Sequence, residues 1–121
     1  MNREGKKCFL YLRVSTEMQV DGYSLEAQKN CLKKFAEREE LVIAGVYEDA
    51  GKSGKSIEGR PAFRRMLSDI ESGAGIDYVM VYKLSRFGRN AADILNSLEL
   101  LQTYDVNLIC IEEGIDSSQT S

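Results

Sequence analysis

The sequence lacks histidine altogether and has one proline and three cysteines among its 121 residues. Histidine is the commonest general base and a frequent zinc ligand, so its absence argues against both roles in this chain. The cysteines, Cys8, Cys31 and Cys110, are far apart in the sequence, which makes a zinc site unexpected. Any catalysis must therefore rely on carboxylates, arginines, lysines, hydroxyls or solvent.

Long hydrophobic runs are also missing. No apolar stretch approaches the length that spans a membrane, and residues Met1–Gly5 lack the apolar centre of a secretion signal. We therefore expect a cytoplasmic protein with no membrane partner. The net charge of −3 argues against a wholly basic nucleic-acid surface, but it leaves room for a local basic site.

Short apolar runs alternate with amphipathic stretches along the chain. The runs predict strands over Cys8–Leu12, Leu41–Tyr47, Tyr78–Tyr82 and Val106–Ile111. The periodic stretches predict helices over Leu25–Glu39, from Pro61 to Gly73 or Gly75, and over Ala91–Tyr104, with Ser24 and Asn90 as N-caps. This order predicts one α/β domain with a mostly parallel sheet of four to five strands and helices on both faces.

Arg13 and Ser15 follow the first predicted strand. Residues i and i+2 of an extended chain point to the same side, so a guanidinium and a hydroxyl would project together. This pairing suits a nucleophile aimed at a phosphate. The alternative is a serine that caps a turn, with Arg13 in solvent.

Other polar residues fall at the same edge of the predicted sheet. Asp49 follows the second strand, and Arg86 and Arg89 follow the third. Gln28 lies near a helix start on the apolar stripe, where it makes either a structural hydrogen bond or a contact in the site. Ligands of such sheets bind outside the carboxyl ends of the strands, so several arginines facing one hydroxyl predict an oxyanion site.

Arg60 stands at an N-cap position, which is unusual because arginine cannot accept hydrogen bonds from the free amides of a helix start. An anion in front of the helix would account for it, and an exposed side chain that bends away is the alternative. Residues 51–59 before it include Gly54-Lys55-Ser56, but Asp49 stands where a nucleotide-binding loop needs glycine. We therefore expect a mobile loop there, and an Arg60 that is not pre-organised in the free domain.

Four sequence blocks occur together in a characteristic order: Tyr11-Leu12-Arg13-Val14-Ser15-Thr16, Ser24-Leu25-Glu26-Ala27-Gln28, Glu58-Gly59-Arg60-Pro61-Ala62-Phe63 and Tyr82-Lys83-Leu84-Ser85-Arg86-Phe87-Gly88-Arg89. They resemble the catalytic domain of the serine site-specific recombinases, the resolvase and invertase family. Gly22-Tyr23-Ser24-Leu25 and Arg60-Pro61 are most similar to its large branch, the phage integrases and mobile-element transposases. The resemblance covers residues 7–116.

The resemblance implies that Ser15 attacks a DNA phosphodiester and forms a 5′-phosphoserine link. It also implies a set of supporting catalytic residues: Arg13, Arg60, Arg86, Arg89, Gln28, Tyr11 and Asp49. Gln19, Ser85 and Lys83 would contact the substrate. Many family members have an aspartate where this chain has Ser85, and that aspartate is a candidate for helping proton transfer. In this chain an arginine or water is the alternative for that role.

The family resemblance further implies no cofactor or metal, and exchange of strands by dimers and tetramers on double-stranded recombination sites. We expect residues 1–121 to form the catalytic domain, with a frayed end over 117–121 and without the dimerisation helix and DNA-binding domains. Alone, it is not expected to recombine DNA. The alternatives are a phosphate-ester hydrolase or nucleotide-binding α/β domain, and a non-catalytic assembly module of the same fold.

Overall fold

The computed structural model describes residues 3–14, 24–50 and 60–118. Their helices and strands are, in chain order, β1 (Lys7–Val14), α1 (Leu25–Glu39), β2 (Val42–Ala50), α2 (Pro61–Glu71), β3 (Tyr78–Val81), α3 (Leu84–Phe87), α4 (Ala91–Thr103), β4 (Asn107–Cys110) and β5 (Ile115–Asp116). These strands form one sheet in the order β2-β1-β3-β4-β5. Strands β1 to β4 pair in parallel, and β5 pairs antiparallel with β4. The predicted α/β fold with a mostly parallel sheet is confirmed.

The central strand β1 is buried on both faces because its side chains alternate between two apolar clusters. Phe9 and Tyr11 pack with residues of α2, α3 and α4. Cys8, Leu10 and Leu12 pack on the opposite face with α1. The prediction of helices on both faces of the sheet is therefore also confirmed.

The two predicted N-caps are present. The Ser24 hydroxyl accepts a hydrogen bond from the Ala27 amide at 3.2 Å, and the Asn90 side chain accepts one from the Asp93 amide at 2.9 Å. Each contact satisfies one of the amides that a helix start leaves without a partner in the helix. Helix α1 has the predicted bounds, and α2 ends at Glu71, two residues before Gly73.

Two regions differ from the sequence-based expectation. The chain after β3 forms the short helix α3, an element that the sequence did not predict. The expected frayed end at residue 117 is wrong for Ser117 and Ser118: the Ser117 amide donates to the Leu108 carbonyl at 2.9 Å, and the Ser118 hydroxyl donates to Asp116 at 2.6 Å. Residues 119–121 lie outside the described residues.

Arg3 explains why the segment around β5 is ordered. Its guanidinium contacts Asp116 at 2.5 Å and Glu39 at 2.7 Å, and so joins β5 to the end of α1. Contacts between residues more than one hundred positions apart leave no periodic pattern in the sequence. The order of this short polar segment was therefore not visible before the fold was known.

Two of the cysteines are buried as protonated thiols. Cys8 and Cys110 are completely buried within the sheet. Burial raises the pKa of each thiol to about 12, because a thiolate would lose its hydration there. Both therefore act as small apolar residues of the core.

Ser97 on α4 provides a test of this packing. Its side chain is 1% exposed, and its hydroxyl makes no hydrogen bond within the described part of the chain. Because a buried hydroxyl without a partner is costly, Ser97→Ala should raise the free energy of unfolding by about 1 kcal/mol. Urea denaturation measures this change. The exposed Ser68 of α2 is the control, since Ser68→Ala should add only a few tenths of a kcal/mol. A destabilised Ser97→Ala protein would contradict the assignment.

Candidate active site

The polar residues singled out in the sequence gather at the carboxyl edge of the sheet. Strand β1 lies between β2 and β3. The connection from β1 to β2 and the connection from β2 to β3 therefore run in opposite directions across the sheet. A crevice forms at such a reversal of strand order, and ligands of parallel sheets bind there. Arg13 and Asp49 face each other across the β1–β2 pair, and the segment from Lys83 to Arg89 follows β3.

Arg13 is held against the segment after β3. Its side chain is only 2% exposed, and it donates hydrogen bonds to the backbone carbonyls of Ser85 and Arg86, the latter at 3.3 Å. Gln28 is completely buried, and its side-chain Nε2 donates a hydrogen bond to the Arg13 backbone carbonyl at 3.2 Å. Gln28 therefore connects the start of α1 to the end of β1 at the candidate site.

Arg60 is fixed in the same region from the start of α2. Its guanidinium donates to the Phe87 carbonyl at 2.7 Å and to the Asp93 carboxylate at 3.1 Å. It also lies over the ring of Phe63, 4.0 Å from the ring centroid. Arg60 is therefore held by contacts within the described part of the chain, but its placement relative to Ser15, which the expectation concerned, stays a prediction because Ser15 lies outside the described residues. The loop 51–59, to which that expectation was tied, lies outside the described residues.

The carboxylate of Asp49 takes the place of the anion expected in front of α2. It accepts hydrogen bonds from the amides of Ala62 at 2.9 Å and Phe63 at 3.1 Å. Tyr11 donates its hydroxyl to the same carboxylate at 2.7 Å. Asp49 thus supplies the cap that Arg60 cannot provide at this helix start.

The remaining candidate site residues differ in solvent exposure, and some of them lie outside the described residues. Arg86 is 1% exposed, whereas Ser85 and Arg89 are exposed and Lys83 is half-buried. Ser15 and Gln19 lie outside the described residues. The structure therefore brings six of the predicted site residues together in buried positions: Tyr11, Arg13, Gln28, Asp49, Arg60 and Arg86.

Burial and like charges shape the electrostatics of this cluster. Burial lowers the pKa of Arg13 to about 10, and the neighbouring Arg60 and Arg86 add to the effect. Burial also raises the pKa of Tyr11 above its usual value. Both side chains therefore keep their protons at neutral pH, and the cluster concentrates positive charge that favours an anion.

Asp93 is a residue of this region whose importance the sequence did not reveal. One of its carboxylate oxygens accepts hydrogen bonds from the Arg60 guanidinium and the Arg89 amide, each at 3.1 Å. The sequence marked Asp93 only as the third residue of α4, a usual place for a carboxylate near a helix start. Its position four residues after Arg89 is a weak local signal, and its contact with Arg60 spans 33 positions.

Within residues 3–14, 24–50 and 60–118, no group of three or more histidine, cysteine, aspartate or glutamate side chains could hold a metal ion. None of the helices in those ranges is both long and apolar enough to cross a membrane.

Residues 8–121 match the family model described as the resolvase N-terminal domain. The chain belongs to this family. It is 34% identical over 110 residues to the Transposon Tn2501 resolvase of Escherichia coli, an alignment that covers 89% of this chain and 51% of that protein. The chain thus spans about half the length of this curated resolvase.

Solved structures of resolvase relatives have the same fold. A resolvase family site-specific recombinase from Streptococcus pneumoniae is 60% identical, with a TM-score of 0.83 over 96% of this chain and 78% of that one. The N-terminal catalytic domain of TP901-1 integrase is 37% identical, with a TM-score of 0.86 over 95% of this chain and 84% of that one. The second likeness agrees with the predicted resemblance to integrases of this family.

The Asp49 contacts lead to a prediction about stability. Asp49→Ala leaves three donors near the start of α2 without their acceptor, so the free energy of unfolding should fall by about 3 kcal/mol. Tyr11→Phe removes one of these donors and should cost about 1 kcal/mol. Urea denaturation of both variants and of the double variant measures the free energy of interaction between Tyr11 and Asp49. A loss in Asp49→Ala no larger than in Tyr11→Phe would contradict the capping role.

Proposed function

We propose that this domain is the catalytic part of a site-specific DNA recombinase, with Ser15 as its nucleophile. The observation that carries the proposal is the gathering of Arg13, Arg60 and Arg86 near the end of β1, where Arg13 stands two residues before Ser15. Positive charge in a buried, fixed arrangement is suited to stabilising an oxyanion that becomes more negative during reaction. Membership of the resolvase family supports the same conclusion.

The proposed first step transfers a DNA phosphoryl group to the protein. The Ser15 hydroxyl oxygen attacks the phosphorus, an oxygen–phosphorus bond forms, and the bond from phosphorus to the 3′ oxygen breaks. The serine proton leaves, and the released 3′ oxygen takes up a proton to become a hydroxyl. The 5′ end stays linked through phosphoserine, which preserves the ester for rejoining to another 3′ hydroxyl.

The arginines would act by charge and position. Arg13 and Arg60 are 2% and 1% exposed, and their guanidinium groups already bind backbone carbonyls. Direct contact with a phosphate therefore requires that these groups be uncovered. Arg89 is exposed, so it is suited to make the first contact with DNA.

Asp49 is better suited to positioning than to accepting the serine proton. Its carboxylate already accepts three hydrogen bonds, from Tyr11 and from two amides of α2. With no histidine in the chain, we assign most of the rate enhancement to electrostatic stabilisation rather than to a strong general base.

The partner of this domain would be double-stranded DNA that carries a recombination site. Lys83, Ser85 and Gln19 are the proposed additional contacts to this substrate. Because the chain spans about half of a related resolvase and has a net charge of −3, we assign most DNA affinity to parts of the protein outside this domain. Pairing of two sites would require dimers and tetramers of the full-length protein.

The nucleophile can be tested by trapping the covalent intermediate. In the full-length protein, Ser15→Ala should abolish the covalent link to DNA while leaving DNA binding unchanged. Denaturing gel electrophoresis with end-labelled DNA measures both the link and the cleaved strand. Thr16→Ala is the matched control because it removes the adjacent hydroxyl and should keep the link. Undiminished adduct in Ser15→Ala would rule out the proposed nucleophile.

The exposed and buried arginines should respond differently to substitution by lysine. Arg89→Lys keeps the charge but loses the planar fork, so cleavage should fall roughly a hundredfold with an unchanged melting temperature. Arg60→Lys should lose cleavage too, and also about 2 kcal/mol of stability, because its buried hydrogen bonds to Phe87 and Asp93 are disrupted. Single-turnover cleavage and thermal denaturation measure the two effects. Near-normal cleavage in a destabilised Arg60→Lys protein would instead indicate a purely structural arginine.

A further inference from the structure

Helix α3 carries two candidate site residues but has only four residues, Leu84–Phe87. A helix of one turn is not stable by itself, because nucleation costs more than one turn regains. Its N-cap residue, Lys83, makes no hydrogen bond from its side chain to the helix start. Contacts with other parts of the chain must therefore hold α3 in place.

The contact at the start of α3 comes from Glu113. Both of its carboxylate oxygens lie within hydrogen-bond distance of the Leu84 amide, at 3.0 and 3.1 Å. Glu113 reaches this position because the pairing of β3 with β4 continues beyond both strands, where the Glu112 amide donates to the Tyr82 carbonyl at 2.8 Å. The carboxylate thus caps a helix that starts 29 positions earlier in the sequence.

The other end of α3 is where the site arginines bind. Arg13 contacts the carbonyls of Ser85 and Arg86, and Arg60 contacts the carbonyl of Phe87. A shift of α3 would therefore displace its own Arg86 and the carbonyl groups that hold Arg13 and Arg60. Small displacements of catalytic groups are enough to slow a reaction strongly.

From these contacts we propose that Glu113 is a positioning residue for DNA cleavage, and that it acts by holding the start of α3. This inference rests on the proposed recombinase function. Glu113 is exposed and its hydrogen bond to Leu84 lies at the surface, so the fold depends on it little. Its loss should therefore move the reaction rate more than the melting temperature.

Two substitutions separate hydrogen bonding from charge. In the full-length protein, Glu113→Ala should lower the single-turnover cleavage rate by about ten- to a hundredfold with unchanged DNA affinity. Glu113→Gln should restore most of the rate, because its amide oxygen can still accept from Leu84. Glu99→Gln is the control: it removes one negative charge from the exposed surface of α4 without touching the Leu84 amide or a candidate site residue, so its cleavage rate should stay close to normal.

Hydrogen exchange measured by mass spectrometry gives a readout that does not depend on activity. Peptides that contain Leu84 should exchange faster in Glu113→Ala than in Glu113→Gln. Equal exchange in the two variants, equal cleavage rates in them, or a rate loss matched by a large fall in melting temperature would each overturn the inference. Ser15→Ala is run in parallel. If Ser15→Ala still forms the covalent adduct, the proposed function fails. If Ser15→Ala is inactive and Glu113→Ala is fully active, only the role of Glu113 is overturned.

Discussion

The candidate site depends on hydrogen bonds between two guanidinium groups and the backbone of α3. A four-residue helix leaves most of its carbonyls without partners in the helix. Arg13 and Arg60 satisfy the carbonyls of Ser85, Arg86 and Phe87, and they place positive charge at the end of the helix that favours it. The same contacts therefore fix the helix and bring three arginines together at one edge of the sheet.

This arrangement has an electrostatic cost that the surrounding residues reduce. Arg60 has the Asp93 carboxylate at 3.1 Å and the ring of Phe63 beneath it, so its charge is compensated within the protein. Arg13 donates to neutral carbonyls, and its lowered pKa reflects its burial and the nearby cations. An entering phosphodiester would compensate that charge, which gives the cluster a physical reason to bind an anion.

The sequence predicted the elements with strong local signals and missed those set by distant contacts. The alternation of apolar runs predicted the parallel sheet, and Ser24 and Asn90 marked two helix starts correctly. The caps of α2 and α3 come instead from Asp49 in β2 and from Glu113 in the turn between β4 and β5. No local pattern predicts such a cap, because its donor and acceptor meet only after the sheet has formed.

The same distinction explains what could be inferred about Arg60. Arginine at a helix start predicted either an anion in front of the helix or an exposed side chain that bends away, and the structure shows the first. The sequence could not show that Asp49 supplies this anion to the helix while Asp93 supplies another to the guanidinium. From the sequence alone, the charge of Arg60 looks free to bind a ligand. In the folded protein, the Asp93 carboxylate already compensates it. In this chain the exposed Arg89 and the buried arginines therefore lie in different physical environments, although they belong to one sequence signature.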